Sequence, residues 1–222
     1  MDPAVAMVRA FLKANGYFTM VEVPVLAIND DGTLRTATDL DILAVRFPGE
    51  RRFVAGSNNG HGDRAMRSAS ADLDHQPDQT ELIIGEIKQG RAELNSAATD
   101  PDVLRVALSR FGAFDDDEIP SIIDDLQHEG SATRQTACQG KMRVRLFAFG
   151  STYPDRPPGR RYSILLHRRI LAFFSDMMRQ HRDVVPHLHS KDPFLGQLLL
   201  MSKARSEGKG ERRGGRRAGR RR

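Results

Sequence analysis

Two short clusters carry residue types that could do chemistry. Asp39-Leu40-Asp41 lies in a run of strand-forming residues, and Glu86-Ile87-Lys88 closes the apolar run Leu82-Ile83-Ile84. Side chains alternate along a strand, so Asp39 and Asp41 share one face, and Glu86 shares a face with Lys88. If the two strands are neighbours, that face brings Asp41 beside Glu86. Two carboxylates, a backbone carbonyl such as that of Ile87 and a phosphate oxygen make an oxygen shell that suits Mg²⁺, with Mn²⁺ as a substitute. Lys88 could then orient a water and favour its deprotonated form, while the ion offsets charge developing on a phosphate. Phosphodiester hydrolysis needs those three parts. Spacing alone does not discriminate, because Glu207-Gly208-Lys209 repeats the triplet in a stretch with no strand pattern.

The surrounding elements supply the context. Val5, Val8, Phe11 and Leu12 recur at helical spacing between Pro3 and Asn15-Gly16, which predicts a helix over 3–15. Residues 17–28 are rich in strand formers, with Pro24 marking an edge position or a bulge, and Asn29-Asp30-Asp31-Gly32 is a turn. A return strand over 33–47 follows, with Leu40, Ile42 and Ala44 on the face opposite the acids. Residues 48–80 hold few apolar side chains and no period, and read as a flexible insertion. The Leu82 run predicts a central strand over 81–88. Helices are expected over 101–111, within 115–129, over 161–180 and over 192–203, and a further strand over 143–149. The expected class is α/β, over residues 1–201.

LDILA around Asp41 and IIGEIKQG around Glu86, in a helix-strand-strand-strand order, resemble the two motifs of the PD-(D/E)XK nuclease superfamily, from about Pro3 to Met178. The resemblance implies a restriction-endonuclease-like fold, a central mixed sheet of about four to five strands flanked by helices. It implies a metal-dependent nuclease in which Asp41 and Glu86, with the Ile87 carbonyl, hold Mg²⁺ and Lys88 positions the attacking water. Glu22 is similar to an additional acid of some members, and Gln89 to a polar residue that some use near the site. Members often act as dimers, which allows a homodimer here. The literal Pro-Asp dipeptide is missing, so Asp39 competes with Asp41; the apolar Ile42-Leu43-Ala44 after Asp41 favours Asp41. The 45 positions between Asp41 and Glu86 require residues 48–80 to loop out.

Charge points to the partner. The chain has 222 residues and a net charge of +5, yet residues 202–222 alone carry +8, so the remaining body is net −3. A Gly-interleaved basic segment of this kind cannot bury enough apolar surface to order itself, and reads as a disordered tail. Its Arg212, Arg213, Arg216, Arg217, Arg220, Arg221 and Arg222 suit a phosphate backbone, with affinity independent of sequence and sensitive to salt. Arg143, Arg145 and Arg168 are further candidates for phosphate contacts. Nucleic acid, in particular DNA, is the expected partner. No apolar run long enough to span a membrane and no signal-peptide layout is present, so a soluble cytoplasmic protein with no membrane partner is expected. The single Cys138 cannot form an internal disulfide, and His187-Leu188-His189 reads as loop polarity rather than a metal pair. Two other functional classes fit: a protein that keeps the nuclease fold and binds nucleic acid with little or no cleavage, and a small α/β interaction module with a basic tail and no nuclease relationship.

Overall fold

The computed structural model describes residues 2–50, 52–54, 64–66, 70–136, 140–156, 159, 161–181 and 192–214. Cys138, His187, His189, Arg216, Arg217, Arg220, Arg221 and Arg222 lie outside them. The elements are α1 (Pro3–Ala14), β1 (Phe18–Ile28), β2 (Leu34–Arg46), β3 (Arg52–Val54), β4 (Arg64–Met66), β5 (Thr80–Ile87), α2 (Pro101–Phe111), α3 (Ile119–Glu129), β6 (Ser131–Thr136), β7 (Gly140–Gly150), β8 (Ser163–Leu166), α4 (His167–Gln180) and α5 (Pro193–Gly214). The chain divides into two compact units, residues 1–174 and 175–222. The second unit holds the last part of α4 and all of α5. No described helix is long and apolar enough to cross a membrane.

The protein is α/β. In the first unit a mixed sheet runs β1-β2-β5-β7-β6, with β8 also paired to β7. β1 and β2 are antiparallel, as are β2 and β5, whereas β5 and β7 are parallel. β6 covers residues 140–145 of β7 in antiparallel fashion, and β8 covers 147–150 in parallel. The sheet therefore has six strands rather than the four to five expected, because one side of β7 takes two short partners in succession. The small hairpin β3–β4 is separate.

Local signals explain the boundaries. Asp2 caps α1 by accepting from the Ala4 N–H at 2.6 Å, Pro3 opens the helix, and Gly16 leaves it with φ +85°. Asp100 caps α2 through the N–H groups of Asp102 and Val103, and Gly112 ends it in the left-handed region. Pro24 sits on the edge strand β1, one residue before a register shift at Val25/Leu26, where a missing N–H is tolerated. α2 and α3 cover one face of the sheet through Leu104, Leu108, Ile122 and Leu126, packed with Leu43, Leu82, Ile84, Val144 and Leu146. On the opposite face α1 contacts β1, β2 and β5, with Phe11 edge-on to Phe173 and Phe174 of α4.

Four expectations change. The second half of the 48–80 insertion is packed rather than free: Leu73 is fully buried, and the Ser70 N–H donates to Asn15 Oδ1 at 2.6 Å. β6 was not expected, because on this edge strand only Ala132 is buried. The helix expected over 161–180 begins at His167, since Ile164, Leu165 and Leu166 extend the sheet first. The tail expected to be disordered from 202 is helical to Gly214, where Ala, Lys, Arg and Glu, all good helix formers, outnumber glycine.

Burial of Leu73 makes a prediction. Leu73→Ala should destabilise the protein by about 2–5 kcal/mol, read as a lower denaturant midpoint with an unchanged slope. A change within about 0.5 kcal/mol, the size of an ordinary surface substitution, would mean that residues 70–80 do not anchor the fold.

Candidate active site

β2 and β5 bring the two acid clusters together. The register pairs Leu43 with Ile84 and Ile42 with Gly85, and one further step places Asp41 across from Glu86. The link is direct: Asp41 Oδ2 accepts the Ile87 N–H at 2.6 Å, fixing the carboxylate against the end of β5. Glu86 is 4% exposed, and its Oε1 accepts from the Lys88 ammonium and from Asn95 Nδ2, the latter at 2.8 Å. Lys88 reaches in from solvent while its own N–H donates to the Phe149 carbonyl at 2.9 Å. Gly85 is required between these residues, because a Cβ there would stand 2.7 Å from Ile42 Cγ2 and 2.9 Å from Phe149 Cε2.

Burial and like charge act on both carboxyls. Desolvation pushes Asp41 up, and the charges of Asp2 and Asp39 add to it, against the Ile87 N–H and Lys88. Desolvation likewise pushes Glu86 up and the Asp41 charge adds, against the bonds from Lys88 and Asn95. Two acids are held together against their own repulsion, with one ammonium between solvent and the pair, an arrangement of hard oxygen donors that could hold a hard cation. Asp41 Oδ1 and Glu86 Oε2 take none of the hydrogen bonds described above and could be its ligands. Among the described residues no group of three or more His, Cys, Asp and Glu side chains could hold a metal, so this donor set is a carboxylate pair. A Mg²⁺ ion fits such a pair, since it keeps several waters and takes one or two protein carboxylates.

The remaining candidates fall in different places. Asp39 is exposed and pairs in register with Pro24, so Asp41 and not Asp39 meets Glu86. Glu22 stands across from Asp41 by the register of β1, is exposed, and has φ +52°. That left-handed backbone costs about 1–2 kcal/mol at a residue with a Cβ, a strain placed next to the carboxylate pair. Gln89 turns to the start of the chain, donating from Nε2 to Asp2 Oδ2 at 2.7 Å. Arg143 and Arg145 lie at the other end of β5, where both bind the fully buried Glu81, at 2.9 and 3.0 Å. Arg145 is itself buried, so these guanidinium groups are committed to the fold rather than offered to phosphate. Arg168 is exposed over the Tyr153 ring at 5.8 Å. Arg212 and Arg213 lie in α5.

Two contributors have no signal in sequence. Asn95 has its Oδ1 fixed by the Ala98 N–H at 2.6 Å, ahead of α2, which aims its amide at Glu86. Asp2 has its carboxyl held down by the Gln89 bond and the Ala4 N–H, and adds negative charge near Asp41. No family model, curated protein or solved structure matches this chain.

The raised carboxyls predict a pH dependence. Their folded-state affinity for protons exceeds the unfolded one, so metal-free protein should lose stability as pH rises from the ordinary values, 3.8 and 4.5, through the raised ones. Asp41→Asn keeps an oxygen for the Ile87 N–H and removes the repulsion. In chelator at pH 7 it should melt higher than wild type and show a shallower decline with pH. A lower melting temperature would mean that the Asp41 charge is itself stabilising.

Proposed function

We propose that the protein is a metal-dependent nuclease that hydrolyses phosphodiester bonds of DNA. The observation that carries this reading is the meeting of Asp41 and Glu86 across β2 and β5, with Lys88 on the same strand end. Element order supports it: α1, the antiparallel strands β1, β2 and β5, the helices α2 and α3, and β7 parallel to β5 are an arrangement that the reading requires.

Each residue has a definite task in this reading. Asp41, oriented by the Ile87 N–H, and Glu86, oriented by Asn95, would hold Mg²⁺ or Mn²⁺ together with the Ile87 carbonyl. A bound ion supplies Lewis-acid stabilisation of the charge that develops on the phosphate. Lys88 Nζ, released in part from Glu86, would orient a water at the scissile phosphate and stabilise its deprotonated form. The Arg-rich C-terminal segment, including Arg212 and Arg213, would supply affinity for the phosphate backbone that is independent of sequence.

Labelled linear duplex, single-stranded and branched DNA, incubated with Mg²⁺ or Mn²⁺, test the proposal. Asp41→Ala and Lys88→Ala should each lower cleavage by about 100-fold or more while binding persists. Asn95→Ala should weaken Mn²⁺ binding by about 10–100-fold, the usual effect of losing a residue that orients a metal ligand. Absence of cutting on every form, with salt-sensitive binding intact, would replace this reading with that of a nucleic-acid-binding protein.

A further inference from the structure

A cavity of about 280 Å³ opens on the sheet face that α2 covers, at the opposite end of α2 from Asn95. Its floor is Leu43 and Leu82, and its wall is Phe111 at the end of α2. At the mouth stand Phe18 and Phe47, 65% and 49% exposed, with ring centroids 6.0 Å apart. Two polar side chains, Thr19 and Arg110, also line it; Arg110 is exposed and makes no ion pair or side-chain hydrogen bond among the described residues.

We propose that this cavity binds a small ligand with a flat aromatic body and one anionic group. The size lies at the lower edge of small-molecule sites, and the lining has their usual composition, mostly apolar walls with few polar groups, of which Arg110 is the charged one. Three phenylalanine rings offer faces and edges to a flat body rather than to a branched aliphatic one. Large apolar side chains left exposed around a concave mouth mark a binding surface. Arg110 selects the anion, since a guanidinium with no carboxylate partner is open to a planar oxyanion such as carboxylate, sulfonate or phosphate. A nucleotide and a free aromatic acid share this chemistry. The site is distinct from the carboxylate pair and stands whether or not the protein cleaves DNA.

The probe is 8-anilinonaphthalene-1-sulfonate, with the neutral N-phenyl-1-naphthylamine as its uncharged counterpart, on the full chain. One saturable sulfonate site is expected. Arg110→Gln should weaken the sulfonate probe roughly fivefold to tenfold and leave the neutral one unchanged, and Arg110→Lys should restore part of the loss. Ala113→Phe, which fills the cavity from its lining, should remove both probes. Displacement by deoxythymidine 5′-monophosphate alone would assign the site to nucleotides, and displacement by 2-naphthoate alone to free aromatic acids. Glu86→Gln should bind the probe as wild type does, which separates this test from the nuclease reading. The proposal is overturned if binding does not saturate or if Arg110→Gln leaves the sulfonate affinity unchanged. It is also overturned if sedimentation shows a dimer that excludes the probe and that Phe18→Asp dissolves.

Discussion

Strand β5 is buried at every residue from Thr80 to Ile87, hydrogen-bonded on both sides and covered on both faces. The rest of the first unit answers to that constraint, because two of its eight residues are glutamates. A carboxylate taken out of water must be neutralised, hydrogen-bonded or protonated. Glu81, at the entry, has two guanidinium groups, the Gln79 amide and the Gln76 N–H. Glu86, at the exit, has one ammonium and one amide, and faces a second carboxylate. The same burial thus gives a locked structural pair at one end and an under-neutralised pair of acids at the other. Of the two ends, only the second leaves carboxylate charge that a cation would offset.

Steric limits hold the exit in place. β5 and β7 lie parallel, and the chain leaving β5 passes tightly over the end of β7, where a Cβ on Gly150 would stand 2.6 Å from the Ala92 N. Two further bonds pin this crossing: the Ser151 N–H donates to the Gly90 carbonyl at 2.7 Å and the Ser151 hydroxyl to the Gln89 carbonyl at 2.6 Å. The segment from Lys88 to Arg91 is therefore guided by backbone contacts, which leaves the Lys88 side chain as the adjustable part of the site. α1 joins the same point through Asp2 and Gln89, so the helix start and the strand end share one anchor.

What could be read from the sequence was local. The helix over α1, the β1–β2 hairpin and the buried run of β5 each follow from periodicity and turn residues within a dozen positions. The pairing of Asp41 with Glu86 was legible for a different reason: alternation fixes which side chains share a face once two strands are neighbours. The partners of Arg143 and Arg145 were not legible, since Glu81 lies 62 and 64 positions away and a basic face on a strand looks the same whether it meets solvent or a buried acid. Leu73 was hidden because one apolar residue among polar ones has no period, yet it is fully buried in a segment also held by the Ser70 N–H to Asn15 Oδ1 bond and the Arg169–Asp72 pair. Asn95 was hidden because its role depends on where the chain turns between β5 and α2. β8 was absorbed into the helix that follows it, because Ile164 to Leu166 fit either period.

The distribution of basic charge completes the argument. Within the described body the arginines near the sheet are largely paired: Arg143 and Arg145 with Glu81, Arg169 with Asp72, Arg134 with Asp125 and Arg91 with Asp155. Pairs of this kind cancel at a distance, and the body as a whole is net −3. A negatively charged body repels a phosphate backbone that comes within about one Debye length, roughly 8 Å at physiological salt, and is largely screened farther out. In the nuclease reading, attraction must then come from the +8 of residues 202–222, and the carboxylate pair must gain its cation before a phosphate can approach. In that reading the ion would have an electrostatic role prior to any chemistry: it would reverse the sign of the place where the substrate has to sit.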